Sequence, residues 1–303
     1  MASRKTPKKT APQKKQHTPD YYPVQRKIPL GVFDSAISAT TTGDAARLLS
    51  IANRRLMRYG MNYQIKIDLE PNAAGIATPF AVDVYALANT WDVQRAFALA
   101  KKTHDEAHAD EAEYANKARW YDFRIAADVT GAAELTPVRY DQATQAAIVT
   151  NDGEFVTSTV DDGGSQKRFS WSSASGSALN VLSEWSVSGR ANADPATVST
   201  SAPYNGVNSD QLSDIESDNL EQHGNNPPYS ATSHADLMVK VATIRYQPGA
   251  EGLQRLSTGY FEAPCGLFVL KHNLGGANLT NGSITFTAKS GDYKGVDAKA
   301  MSN

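Results

Sequence analysis

A chain of 303 residues, 41% of them hydrophobic, can bury a sizeable core as one large β domain or two ordinary domains. Its single cysteine, Cys265, excludes an internal disulfide framework and a cysteine-based zinc site, and no apolar run approaches the ~18 residues of a membrane-spanning helix. The chain has 30 Lys or Arg against 32 Asp or Glu, but residues 1–27 hold eight cations (Arg4, Lys5, Lys8, Lys9, Lys14, Lys15, Arg26 and Lys27) against Asp20 alone, so 22 cations and 31 anions leave residues 28–303 at −9.

Residues 1–29 contain five prolines and few aliphatic side chains. Such a segment buries too little apolar area to offset its ordering entropy, so it is expected to be a disordered arm, with Tyr21, Tyr22 and Val24 able to reach the body. A charged, Pro-rich start with no apolar segment behind it does not read as a secretory signal. The first ordered element expected is a helix at TGDAARLLSIANRRLMRYG, capped by Thr42 or Asp44 and stopped at Gly60. Ala45, Leu48, Leu49, Ala52 and Leu56 would share its apolar face. Arg47, Arg54 and Arg58 would form a stripe on the opposite face, either simply solvated or a second set of phosphate contacts.

MNYQIKIDLE alternates apolar and polar residues and reads as a half-buried strand; FAVDVYALA is a second strand. Residues 91–119 lack Gly and Pro and read as one long or two shorter helices, begun at Asn89 or Thr90 and anchored by Val93, Phe97 and Ala100. The remainder is β-rich. RWYDFRIA alternates; FVTSTVDDGGSQKRFSW is a pair of strands around a turn; LMVKVATIRYQP, YFEAPCGLFVLKH and GSITFTAKS are three more strands. Residues 186–208 read as a long surface loop, and SDQLSDIESDNLEQ as a short acidic helix. The fold class expected is mainly β, a jelly roll or β-sandwich over residues 30–303 with a helical insertion around 91–119.

Little points to catalysis. His104 and His108 stand four apart on a helix, as in H-E-x-x-H zinc proteases, but Asp105 occupies the Glu position, so a solvated charged face is expected. The carboxylates of Asp161 and Asp162, and of Asp210, Asp214, Glu216 and Asp218, are hard oxygen donors, yet neither group has EF-hand spacing, and structural calcium has no motif behind it. No G-x-S-x-G elbow or phosphate-binding loop is present, GDYKGVDA included. Cys265, in FEAPCGLFVL, reads as a buried structural thiol. No catalytic residue, metal site or cofactor is assigned. The paired lysines of the arm, spaced by Pro, Thr, Ala and Gln, give charge without fixed shape, which suits phosphate binding without base selectivity, a nuclear localisation signal or a solubilising tail.

The arm from Arg4 to Lys27, the strand series beginning at MNYQIKIDLE, and the final GSITFTAKS followed by GDYKGVDAKA resemble a jelly-roll capsid protein of a small icosahedral virus. The nearest likeness is to circular single-stranded DNA viruses that encode a replication initiator; small RNA viruses use the same plan. The resemblance implies an eight-stranded jelly roll, a shell of many identical copies, and an arm that points inward onto a genome, single-stranded DNA ahead of RNA. It implies residence in the virion, with assembly in the host nucleus or cytoplasm, and no membrane insertion. A cellular non-specific nucleic-acid-binding protein, and a β-sandwich that binds carbohydrate or protein or is an unrecognised enzyme, are the alternatives.

Overall fold

The computed structural model describes residues 23–33, 40–70, 79–108, 120–127, 133–143, 147–149, 155–171, 177–188, 238–247, 256–273 and 282–301. Two sheets form the body. The first runs β1 (Lys27–Phe33), β14 (Gly282–Ala288), β3 (Met61–Glu70), β12 (Phe261–Pro264), with β15 (Ala298–Ala300) beside β14 on the same side of β3. The second runs β11 (Met238–Tyr246), β4 (Phe80–Leu87), β13 (Leu267–Asn273), β2 (Thr40–Asp44), and ends on the short parallel β5 (Ala133–Glu134). Counting only the eight principal strands in chain order, the sheets read first-eighth-third-sixth and fifth-fourth-seventh-second. That alternation between sheets is the jelly-roll arrangement, and all its pairings are antiparallel.

Period-two sequence makes this sandwich. Tyr63, Ile65, Ile67 and Leu69 of β3 and Ile284, Phe286 and Ala288 of β14 meet Val82 and Val84 of β4, Ile244 and Tyr246 of β11, and Phe268 and Leu270 of β13 in one buried cluster. Phe268 and Phe286 stack across the two sheets, with centroids 6.2 Å apart and planes at 14°. Phe268 lies opposite Gly43 of β2, and a Cβ on that glycine would stand 2.1 Å from the ring. The missing side chain is the space the ring occupies.

Several expected elements differ. Lys27 opens β1, and Ile28 and Leu30 are buried, so the arm gives way to the body before residue 29; Val24 already packs on the core, while Tyr21 and Tyr22 lie outside the described residues. The helix α1 covers only Ala45–Asn53, with Asp44 as its N-cap. Arg54 turns left-handed (φ 50°), and Met57 donates its N–H to Ser50 Oγ (2.8 Å). Leaving the helix lets Met57 enter the sandwich core and Tyr59 a second core, which one continuous helix face could not serve. YFEAPCGLFVLKH is two strands, since Cys265 and Gly266, both at positive φ (56° and 70°), carry the chain from β12 in one sheet to β13 in the other. RWYDFRIA forms no strand. Phe123 and Ile125 are buried, Tyr121 is exposed, and the segment is stitched to its neighbours through Ser158 and an isolated bridge at Ala126.

The connection from β4 to β11 holds the inserted elements. Helix α2 (Trp91–Ala107), the hairpin β8 (Thr159–Asp162) and β9 (Ser165–Ser170), the parallel β10 (Ala178–Asn180) and helix α3 (Val181–Ser188) are joined by the small hairpin β6 (Val138–Tyr140) and β7 (Ala147–Val149). Thr90 is the α2 N-cap, and Val93, Phe97 and Ala100 face inward. They pack with Phe123, Phe169, Trp171 and Trp185 against Tyr59, Leu87, Leu267 and Met301 of the sandwich. Residues 109–119, the 189–237 stretch and the acidic helix expected within it lie outside the described residues.

Gly43→Ala is expected to displace the Phe268 ring and cost about 1–3 kcal/mol of unfolding free energy, measured by denaturant melts. An unchanged midpoint would show that the ring has room to yield.

Candidate nucleic-acid interface

At the end of the sandwich where β1 begins, the segment after α1 lies against the turn before β15. Tyr293 and Val296 bridge that turn, with Lys294 at φ 49° and Gly295 at φ 88° between them. The Arg58 N–H donates to Tyr293 Oη (3.0 Å), and Lys294 Nζ donates to the Leu56 carbonyl (2.6 Å). The Arg58 guanidinium donates to Asp122 Oδ1 (3.1 Å) and the Tyr121 carbonyl (3.2 Å). These contacts frame a concavity of about 260 Å³ lined by Arg54, Arg55, Leu56, Arg58, Trp120 and Lys294. All three arginines are exposed, and Trp120 is 39% exposed.

Among the described residues, Asp122 is the carboxylate that acts on Lys294 against these cations, and its other oxygen accepts the Tyr59 N–H (2.6 Å). Burial, followed by the positive charges of Arg55 and Arg58, holds the Lys294 ammonium below the ordinary lysine range, and Asp122 only partly opposes this. The local field is therefore positive on a body whose net charge is negative.

The arm joins the body at this place. The Gln25 N–H donates to Asn53 Oδ1 (2.6 Å), Asn53 Nδ2 donates to the Gln25 carbonyl (3.1 Å), and the Arg26 guanidinium donates to the Gly295 carbonyl (3.3 Å). Arg26 thus lies beside the turn that carries Lys294. Of the cations expected from sequence, the structure gathers Arg26, Arg54 and Arg58 here and leaves Lys27 exposed in β1. Arg4, Lys5, Lys8, Lys9, Lys14 and Lys15 lie outside the described residues. The sequence reading missed Arg55, Lys294 and Trp120. The Arg54-Arg55 pair is plain in the sequence, but Lys294 sits in GDYKGVDA, which has no phosphate-loop spacing to mark it.

The expected arginine stripe does not form. Arg47 is 7% exposed and pairs with Glu134, on a different concavity of about 230 Å³ that Asp44, Arg124 and Arg168 also line. Arg124 is buried there, paired with Asp44 and set between the rings of Tyr59 and Phe155 (5.2 and 5.0 Å to their centroids). Asp44 Oδ1 accepts the Arg47 N–H (3.0 Å), so this cluster fastens α1 to the insertion. Two of its three arginines, Arg47 and Arg124, are each paired with a carboxylate.

The histidine pair is also differently placed. His104 is 4% exposed, stacked on His108 (4.3 Å) and surrounded by Phe123 (5.2 Å), Tyr121 and Phe169 (both 6.1 Å). It is an aromatic core residue and not part of a solvated face, because Phe123 and Phe169 supply the apolar surface that its own helix sequence lacks. Asp161 Oδ1 accepts the Gly164 N–H (2.8 Å) and Asp162 pairs with Lys167, so these carboxylates close the β8–β9 turn; Asp210, Asp214, Glu216 and Asp218 lie outside the described residues. Cys265 is fully buried against Met301 Sδ (3.2 Å), and burial pushes its thiol well above the ordinary range.

Asp44→Ala removes the α1 cap and leaves Arg124 buried without its carboxylate. The expected loss is about 3–5 kcal/mol, read from chemical denaturation, and a loss below ~1 kcal/mol would mean that the pair is effectively solvated. No protein-family model, no curated protein and no solved structure matches the chain.

Proposed function

We propose that the chain is the coat protein of a small icosahedral virus, which self-assembles into a shell and holds a single-stranded genome through its basic N-terminal arm. The observation that carries this reading is the junction of arm and body. A segment with a net charge of +7 enters a jelly roll beside Arg54, Arg55, Arg58 and Lys294, so the basic charge of three distant stretches of sequence meets at one end of an acidic body. A shell subunit needs this polarity. Genome phosphates require concentrated cations on one side, and an acidic remainder keeps the other surfaces from binding the same polymer. A sandwich with its arm at one end can present both.

The arm acts through backbone phosphates, since lysine pairs spaced by Pro, Thr, Ala and Gln offer point charges and no fixed geometry for base edges. Preference for DNA over RNA rests on the family resemblance alone. The basic concavity also suits a non-assembling nucleic-acid-binding protein, and assembly separates the two readings.

Full-length protein should sediment as closed particles that contain nuclease-resistant nucleic acid. Replacing Lys8, Lys9, Lys14 and Lys15 with Gln removes four of eight arm cations and should lower the protected nucleic acid per subunit to about half, with particles retained. Monomers or small oligomers that bind nucleic acid would favour the non-assembling reading. Particles with unchanged content in the four-residue variant would remove the arm from genome binding.

A further inference from the structure

We propose that the concavity at the arm's base is a seat for one nucleotide of a single strand, with the base stacked on Trp120 and its phosphate held by Arg54 and Lys294. The inference rests on the reading that the chain engages nucleic acid, and it assigns to the folded body a contact that the arm cannot make.

Trp120 is a large ring left 39% exposed on the same small concavity as four cations, with Leu56 as its apolar neighbour. A partly exposed indole beside cations matches a nucleotide, which presents a flat π face and an anion at a short fixed separation. Cations alone would accept any anion. The ring adds a term that only a ligand with an exposed flat face can collect. In a duplex, neighbouring bases cover those faces, so the ring selects a single strand.

The cations divide by role. Arg58 is held by Asp122 and the Tyr121 carbonyl, which makes it a positioning residue that fixes the wall of the concavity. Lys294 gives one of its three donor protons to the Leu56 carbonyl, and an ammonium has two more to offer. Its charge is partly desolvated and faces Arg55 and Arg58, so a bound phosphate relieves a repulsion built into the fold. Arg26 beside Gly295 brings the arm to the rim, so a strand gathered by the arm is delivered to the seat.

The test uses the full chain and labelled pentamers, followed by fluorescence anisotropy. The probes are five thymidines, the same sugar-phosphate chain without bases, and a five-residue glutamate peptide. The arm should treat the two sugar-phosphate chains alike. Wild type should bind the thymidine pentamer roughly tenfold more tightly than the abasic one. Trp120→Ala should abolish that preference and leave the abasic affinity unchanged, while Trp120→Phe should retain most of the preference. Arg54→Gln with Lys294→Gln should flatten the salt dependence of both oligonucleotides by about 1.4 in log-log slope. A preference that survives Trp120→Ala, or its absence from wild type, would overturn the seat. Glutamate peptide binding as tight as thymidine, and sensitive to Trp120, would overturn it in favour of an acidic protein partner. A Trp120-dependent preference in protein that forms no particles would leave the seat standing and remove the coat-protein reading. Particles filled with nucleic acid, without the preference, would do the reverse, and failure of both oligonucleotides to bind would remove both.

Discussion

One carboxylate fastens the parts of this molecule to one another. Asp44 ends β2, caps α1 through the Arg47 N–H, and pairs with the buried Arg124 of the insertion, while the next residue, Ala45, donates its N–H to the Gly266 carbonyl (2.8 Å) at the turn between the two sheets. Sheet, helix and insertion therefore meet at one side chain, and the turn is held by the backbone of the next residue. A guanidinium taken out of water is tolerated only while its partner is present, so this pair holds the insertion in place even though its net contribution is modest.

The functional geometry follows from that junction. Because α1 is capped by Asp44 and stops at Asn53, residues 54–58 turn toward Tyr293 and Lys294 instead of continuing along a helix axis. Asp122, two residues before Arg124, holds both Arg58 and the Tyr59 backbone. The basic concavity is thus assembled from three distant stretches of chain, each held by neutral or opposite-charge contacts that leave the surplus positive charge at the surface. Strands β1, β3, β11 and β13 finish at the other end of the sandwich, where Glu70 pairs with Ser283 and Asn273 with Ala81. One end thus carries the junction with the arm, the cations and the docked insertion, and those four strands run away from it.

The elements legible in sequence were those whose signal is local. β3 matched MNYQIKIDLE residue for residue, because each inward side chain has a polar neighbour, and the β8–β9 turn matched Asp-Gly-Gly, because Gly163 and Gly164 adopt positive φ (63° and 91°). The break at Cys265-Gly266 was hidden, since apolar residues flank it on both sides and each flank belongs to a different sheet. β2 was hidden too: TTTGD has no aliphatic residue, and its place depends on the Phe268 ring above Gly43. The helix end at Arg54 depends on Met57 and Tyr59 finding separate cores, which no window of 20 residues contains. The same limit applies to the site. The charge of the arm was plain, but Trp120 and Lys294 acquire meaning only when the fold brings residues 54–58, 120 and 294 together.

In the proposed coat protein, arm and body present their positive charge to one side of an assembled shell. A three-dimensional reconstruction of particles formed by the full chain is the decisive measurement. Pro23, Arg54, Arg55, Arg58 and Lys294 should line the lumen, next to density for the packaged strand. A closed shell with these residues on its outer surface, or no closed shell under any assembly condition, would contradict that arrangement.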